Sequence, residues 1–487
     1  MRYLLAIDQG TSSTRAMLYS TSGQLINTSQ YQITQFYPKP GWVEHDPEEI
    51  WQKTVLAIRD VASSITPAHI IACGITNQRE PTLIWDKQTG QCLSQAIVWQ
   101  DRRTQAICES WRLNTELIRS KTGLQLDPYF SASKLLWLLN HIPGARELVE
   151  KNRLAFGTVD SFLIWRLTGG AAHVTDITNA SRTMLFNIHT HVWDEQLLQL
   201  FDIPATILPE VRACDAMFGS INDDVLGVAI PITGVAGDQH ASLIGQGCFD
   251  EGMVKATFGT GGFLLLNTGS KPVHSKHHLL TTIAYQIQGK TAYGLEGSIY
   301  HAGTTVKWLR DELGLFTSSS DTETMARSLD SNDGVYLVPA FTGLGSPHWL
   351  SKPGAAIIGL SRTSHRAHFA RAALESVCYQ TRDILDCMHE DSCRPIGLLR
   401  VDGGMAANAW LLQFLASLCG LVVQRPYNIE TTALGAAMLA AIGSGVDISL
   451  DELQKRWVCE QQFKPMSRRE EDYKGWQRAL HMVKDRA

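Results

Sequence analysis

Asp238 is the residue best placed in this sequence to move a proton. It follows the apolar run Ile230-Pro-Ile-Thr-Gly-Val-Ala-Gly and precedes a helical segment predicted from about Ala241, with no lysine beside it in sequence to neutralise it. A carboxylate where a strand hands over to a helix can accept the proton of an attacking hydroxyl; the plainer alternative is a helix N-cap, a position Asp commonly fills. A second polar group, Asn77-Gln-Arg-Glu80, closes the buried-strand pattern His69 to Thr76, at the carboxyl end where α/β sheets place ligands. Arg beside Glu in a loop is usually a solvated pair. The same pair can instead offer a donor and an acceptor to adjacent hydroxyls of a small polyol. Trp99, after the apolar run that starts at Ala96, and Tyr129, in Asp127-Pro-Tyr-Phe-Ser, are either core aromatics or pocket walls, one covering carbon and one offering a phenol.

Two stretches suit an anion. Tyr3 to Ile7 is an apolar strand pattern, Asp8-Gln-Gly-Thr-Ser-Ser13 a polar turn, and Arg15 to Tyr19 an alternating strand. Gly10 offers a position open to positive φ. The hydroxyls of Thr11, Ser12 and Ser13, with the turn's N–H groups, could form an anion-binding concavity. Asp8 is placed to hold a divalent cation through water. The lysine of a Walker loop and the glycine spacing of a dinucleotide fingerprint are both missing, and an ordinary hairpin is an equally good reading of this stretch alone. Val254-Lys-Ala-Thr-Phe-Gly-Thr-Gly-Gly-Phe-Leu-Leu-Leu-Asn267 repeats the plan, which suggests a duplicated architecture with one phosphate-binding hairpin per half. A weaker signal is Asp402-Gly-Gly404 feeding a helix, which suits an adenosine or phosphate.

The elements that must position these residues follow from the spacing. A chain of 487 residues exceeds one ordinary core, so two domains are expected. The Gly-rich stretch Gly245 to Gly252 divides them as 1–247 and 248–487. Gly23 to Ile33 reads as a third strand. Asp46 is an N-cap, Pro47 suits the first helical position and Glu49 completes a capping box, with Trp51, Val55, Ile58 and Ala62 as the core stripe. Phe156 to Leu167 reads as a turn and helix capped by Asp160. A long helix is predicted over His368 to Met388, and Thr432 to Ile442 is an Ala/Gly-dense helix able to pack closely.

Composition excludes several classes. Hydrophobic residues at 44% and charged residues at 19% are those of a globular chain, and a net charge of −5 gives no basic field for nucleic acid or anionic lipid. The N-terminal apolar run stops at Asp8, too short for a signal peptide, so a cytoplasmic location is expected, without membrane insertion. Ten cysteines without a CxxC pair read as reduced thiols, and His274, His277 and His278 as a solvated loop rather than a metal site.

The motifs DQGTSS, YPKPGWVEHDP, GITNQRE, AIVWQDRR, DPYFSASKL, DITNASRTMLFNIHT, AGDQ, TFGTGGF, PAFTGLGSP and RVDGGMAAN together resemble the FGGY family of carbohydrate kinases, over Tyr3 to about Trp476. The resemblance implies an α/β fold of two actin-like, ribonuclease-H-like ATPase domains flanking a central nucleotide and substrate cleft. It implies ATP-dependent phosphorylation of glycerol with Mg2+, ATP/ADP as the nucleotide pair, Asp238 as general base, and a homo-oligomer of two or four chains. The substrate pocket carries over onto Arg79, Glu80, Trp99, Tyr129, Asp238, Gln239 and Phe263. Nucleotide contacts carry over onto Thr11, Ser12, Ser13, Arg15, Thr260, Gly303, Lys307, Gly404 and Asn408, and the metal site onto Asp8 and Asp238. Lys307 stands where relatives often have Gln, and His240 likewise. A related kinase for a pentulose, or a nucleotide-switched assembly protein of the actin type, are the competing readings.

Overall fold

The antiparallel hairpin of β1 (Tyr3–Gln9) and β2 (Ser13–Ser20) starts a six-stranded sheet. The computed structural model describes residues 2–350, 354–446, 448–467 and 469–485. β3 (Leu25–Gln32), β4 (Ile70–Asn77), β5 (Gly219–Ile221) and β6 (Ile230–Gly237) complete the sheet in the order β5-β6-β4-β1-β2-β3. β1, β4 and β6 run parallel, with Gln9, Asn77 and Gly237 level with one another. Gly10, Arg79 and Asp238 therefore lie just past the carboxyl ends of three neighbouring strands, side by side.

Helix α1 (Pro47–Ala62) covers this sheet. Asp46 caps it by accepting from Glu48 N at 2.9 Å, with Pro47 at its first position. The expected capping box is not made: Glu49 turns away and accepts from Thr34 N at 3.0 Å and Thr34 Oγ1 at 3.2 Å. The buried stripe is Ile50, Thr54, Ala57, Ile58 and Val61. Trp51, expected to face the core, lies at its rim under the Arg166 guanidinium, 4.8 Å from the ring centroid, because Thr54 and Ala57 allow a closer approach than an indole would. Next come α2 (Ser131–His141), α3 (Val159–Leu167), the single turn α4 (Ile177–Ala180) and α5 (Asp238–Gly245). Asp160 does not cap α3. Thr158 occupies the cap position, and Asp160 lies buried inside the first turn, accepting from Thr158 Oγ1 and from Thr175 Oγ1 at 2.6 Å.

The second sheet has seven strands: β7 (Val254–Phe258), β8 (Gly262–Gly269), β9 (Leu280–Ile287), β10 (Lys290–Ile299), β11 (Leu398–Asp402), β12 (Val422–Pro426) and β13 (Cys459–Phe463). Their order is β9-β10-β8-β7-β11-β12-β13, with β7, β11 and β12 parallel. The run β10-β8-β7-β11-β12 repeats β3-β2-β1-β4-β6 in order and in strand sense, so the duplication read from the two Gly-Thr turns is a duplication of sheets. Helices α6 (Gly303–Asp311), α7 (Arg366–Ser392) and α8 (Ala409–Cys419) enclose a core with these strands.

Helix α9 (Thr431–Gly443) joins the two halves. It packs Ala433, Ala436, Ala437, Ala440 and Ala441 against Leu4, Ala6, Met17, Tyr19 and Ala72 of the first sheet. The approach is backbone to backbone. A methyl on Gly74 would lie 2.0 Å from Ala436 O, and one on Gly435 would lie 1.9 Å from Ala241 O. All ten cysteines are free, five of them buried. His277 is not in a purely solvated loop: it pairs with Glu390 at 3.0 Å and Asp391 at 2.8 Å. Among the described residues no group of three or more metal-ligating side chains forms, and no helix is long and apolar enough to cross a membrane.

Candidate active site

Past the end of β4 the chain turns through Gln78, Arg79 and Glu80, all buried. Glu80 sits at φ +68°, a left-handed conformation that costs a non-glycine residue about 1–3 kcal/mol and concentrates at functional sites. Arg79 is the hub. Its Nη1 pairs with Glu296 Oε2, its Nη2 donates to Glu296 Oε1 at 3.1 Å, and its Nε lies 3.1 Å from Asp238 Oδ1. Arg182, just past α4, donates through Nε to Glu80 Oε1 at 2.7 Å and through Nη2 to Glu296 Oε1 at 2.8 Å.

Two guanidinium groups and two carboxylates thus alternate in a buried lattice. Burial alone would push Glu296 up, but Arg182 and then Arg79 outweigh it and hold its carboxyl below the ordinary value. Burial likewise opposes the charge on Arg79, while Glu296 and Glu80 hold it firmly protonated. Sequence reasoning missed Arg182 and Glu296 as site residues. A signal did exist for Glu296, a lone carboxylate inside the otherwise uncharged run Tyr293-Gly-Leu-Glu-Gly-Ser-Ile299, since a buried charge requires a partner.

Asp238 opens α5 as its first residue, and its Oδ1 accepts from Gln239 N at 2.7 Å. Its side chain is 27% exposed, whereas those of Arg79, Glu80, Arg182 and Glu296 are at most 2% exposed. It is therefore the most exposed carboxylate of this group. No lysine adjoins it in sequence, but in space Arg79 lies at hydrogen-bond distance. Lys255 stands close behind, bonding Gln239 Oε1 and Thr257 Oγ1, the latter at 3.0 Å. Burial lowers Lys255 to about 8.

An aromatic wall faces this lattice. Trp99 makes edge contacts with Tyr129 at 5.7 Å and Phe263 at 6.0 Å between centroids. Its short preceding strand, Ala96–Ile97, pairs with Glu44–His45 outside the main sheet. Trp99 Nε1 donates to Thr11 Oγ1 at 3.0 Å. One indole thus touches the first Gly-Thr turn and also Phe263, which follows the second. Trp99 and Tyr129 also line a cleft of about 620 Å³ with Trp42, Arg102 and Tyr300.

Five expected nucleotide contacts, Thr260, Gly303, Lys307, Gly404 and Asn408, line a single cavity of about 500 Å³. Ser319, Ser320, Thr322 and Glu323 share its wall and were not anticipated. Gly303 must be glycine, because a Cβ would lie 2.5 Å from Gly259 O. Gly403, at φ +83°, lies against the Phe258 backbone, which sets the Gly-Gly step beside the second turn. Asn408 caps α8, accepting from Leu411 N at 3.0 Å.

The first turn differs from expectation in two ways. Gly10 is not among the residues at positive φ; its N–H donates to Ser13 O at 2.9 Å. Arg15 is engaged within the protein, bonding Asp8 Oδ2 at 2.6 Å and pairing with Glu430. Burial raises the Asp8 carboxyl, Arg15 opposes that, and the charges on Glu430 and Asp238 raise it further. Asp8 and Asp238 therefore feel each other. The carboxylate oxygens of Asp8 and Asp238 would suit Mg2+, which favours oxygen ligands and keeps several waters.

Comparisons with known proteins cover the whole chain. The model of the FGGY carbohydrate kinase N-terminal domain matches residues 3–245, and that of the C-terminal domain residues 254–444. A glycerol kinase of Alteromonas mediterranea is 50% identical over 491 residues, covering 99% of each chain. Glycerol kinase 1 of Pseudomonas aeruginosa is 50% identical over 492 residues, covering 100% of this chain and 99% of the other. The crystal structure of Plasmodium falciparum glycerol kinase with ADP superposes with a TM-score of 0.91 at 35% identity, over 99% of this chain and 98% of that one. A xylulose kinase from Lactobacillus acidophilus, 22% identical with a TM-score of 0.87, shares the fold. Duplicated sheets, paired Gly-Thr turns and full-length likeness lead to one conclusion: this chain belongs to the FGGY family of carbohydrate kinases.

Proposed function

We propose that the chain transfers the terminal phosphoryl group of ATP to a terminal hydroxyl of glycerol, giving sn-glycerol 3-phosphate. The observation that carries this reading is the meeting of Arg79, Glu80 and Asp238 with the Trp99–Tyr129–Phe263 wall beside the Gly-Thr turns. Kinases of this family use ATP and Mg2+. Residues 1–247 supply the polyol pocket apart from Phe263, the first phosphate turn and the base; residues 248–487 supply Phe263, the second turn and the adenosine side. By family resemblance the working unit is a cytoplasmic homodimer or homotetramer.

In this reading Arg79 donates to, and Glu80 accepts from, neighbouring hydroxyls, Tyr129 bonds a third, and Trp99 and Phe263 cover the carbons. A pocket that bonds each hydroxyl rejects analogues lacking one, because its buried polar groups go unpaired. The two contacts of Asp238 noted above use Oδ1, which leaves Oδ2 to take the proton of the attacking hydroxyl and orient its oxygen. Gln239, tied to Lys255, steadies the same edge. Thr11, Ser12 and Ser13 from one turn and Thr260 from the other surround the phosphates, with Gly303, Lys307, Gly404 and Asn408 at the adenosine. Mg2+ held by Asp8 and Asp238, partly through water, would neutralise charge on the phosphates.

A coupled ADP-release assay with and without glycerol tests the proposal. Glycerol-dependent ADP release is expected. Slow hydrolysis indifferent to glycerol would favour a nucleotide-switched assembly protein, and turnover of a pentulose in preference to glycerol would move the substrate within the family.

A further inference from the structure

Lys134 lies in the first turn of α2 with no exposed surface. Its Nζ is held by main-chain carbonyls, donating to Tyr129 O at 2.7 Å and Glu80 O at 3.3 Å. Burying an ammonium is costly, and an apolar side chain of the same length would fill the space without that cost. The ammonium therefore does something packing does not require. Both of its acceptors belong to residues whose side chains form the polyol pocket, and one of them is the left-handed Glu80.

Three donors converge on the Glu80 carbonyl: Lys134 Nζ, Ser131 Oγ at 3.2 Å and Thr82 Oγ1 at 3.1 Å. A strained backbone persists only where its surroundings over-determine it. Here the surroundings are these three bonds, together with the Arg182 bond to the carboxylate at the far end of the same residue. Burial lowers Lys134 to about 8, opposed by the charges of Glu80, Asp101 and Asp127.

We propose that Lys134 is a positioning residue for polyol recognition, clamping the backbones of Glu80 and Tyr129 so that the carboxylate and the phenol address one array of hydroxyls. This rests on the glycerol reading above. It touches neither the nucleotide cavity nor the reacting oxygen, so its effect falls on one substrate.

Lys134→Met keeps the stem and removes the charge and its donors. The glycerol KM is expected to rise about ten- to a hundredfold, the range for losing a hydrogen bond to a charged group, while the ATP KM stays within about twofold. Ser131→Ala, which removes another donor to the Glu80 carbonyl, should shift the glycerol KM the same way by about threefold, and it decides the matter if Lys134→Met fails to fold. Parallel increases in both KM values would mean general loosening and overturn the inference; so would variants whose KM values match those of a wild-type enzyme that does phosphorylate glycerol. A wild-type enzyme that ignores glycerol overturns the glycerol reading, and this inference with it.

Discussion

Arg79 holds Asp238 through Nε at 3.1 Å while its two terminal nitrogens hold Glu296 on a strand of the other sheet. The residue that would grip the substrate is thereby also the residue that ties the catalytic edge of the first sheet to the second. Lysine has one charged nitrogen and cannot reproduce this fork. Arg79→Lys should raise the glycerol KM at least tenfold and lower kcat, measured by steady-state kinetics at saturating ATP.

Asp238→Asn preserves shape and the bond from Gln239 N but removes the base. Loss of a positioned proton acceptor lowers turnover by about 10²–10⁴. Calorimetric titration of glycerol and ATP should show binding largely retained. A variant with near-wild-type kcat would remove Asp238 from the chemistry.

Glu296→Gln leaves two buried guanidinium groups short of one countercharge. Breaking a buried ion pair from one side costs about 3–5 kcal/mol, so the urea midpoint should fall sharply at pH 7. The sign of the pH dependence follows from the lowered Glu296 carboxyl. Its contribution is present above the unfolded carboxyl value near 4.3 and disappears as pH falls through the lower folded value. The gap between wild type and variant should therefore narrow in acid.

Asp160 behaves oppositely. Burial, reinforced by the charge of Asp176, raises its carboxyl to about 7. Between the unfolded value near 3.9 and about 7 the folded chain holds the extra proton, so this residue loses the protein stability as pH rises through that window. Asp160→Asn cannot ionise. Urea midpoints should show the variant gaining on wild type from pH 4 to pH 8.

Gly435→Ala would place its methyl 1.9 Å from Ala241 O, a backbone atom that no rotamer change can move. Overpacking of this sort costs about 1–3 kcal/mol or more, read as a lower Tm. Gly397 faces open space, and Gly397→Ala should change the Tm little.

What the sequence made legible was local. The Asp8–Ser13 and Phe258–Gly262 turns announce themselves through apolar runs broken by Gly and Thr, and Arg79, Glu80, Trp99, Tyr129 and Phe263 each sit in a short loop or strand end that invites a ligand. What escaped was set by distant partners. Arg182 looks like one polar residue among several until Glu80 and Glu296 are brought to it. Glu49 follows the capping pattern, yet Thr34 in the connection after β3 offers it two donors instead. Asp160 follows the cap pattern too, but Thr158 starts the helix two residues earlier. Trp51 has helical spacing, and its bulk, which spacing does not weigh, keeps it at the rim.

Helix α9 has one more consequence. It comes late in the chain but roofs the sheet built by the early strands, its alanines seated on Leu4, Ala6, Met17 and Ala72. A fragment ending before residue 431 would leave that apolar face uncovered, so neither half can be made as a self-sufficient piece by cutting the gene at its midpoint. Supplying the helix as a separate peptide would be the way to rescue a truncated first half.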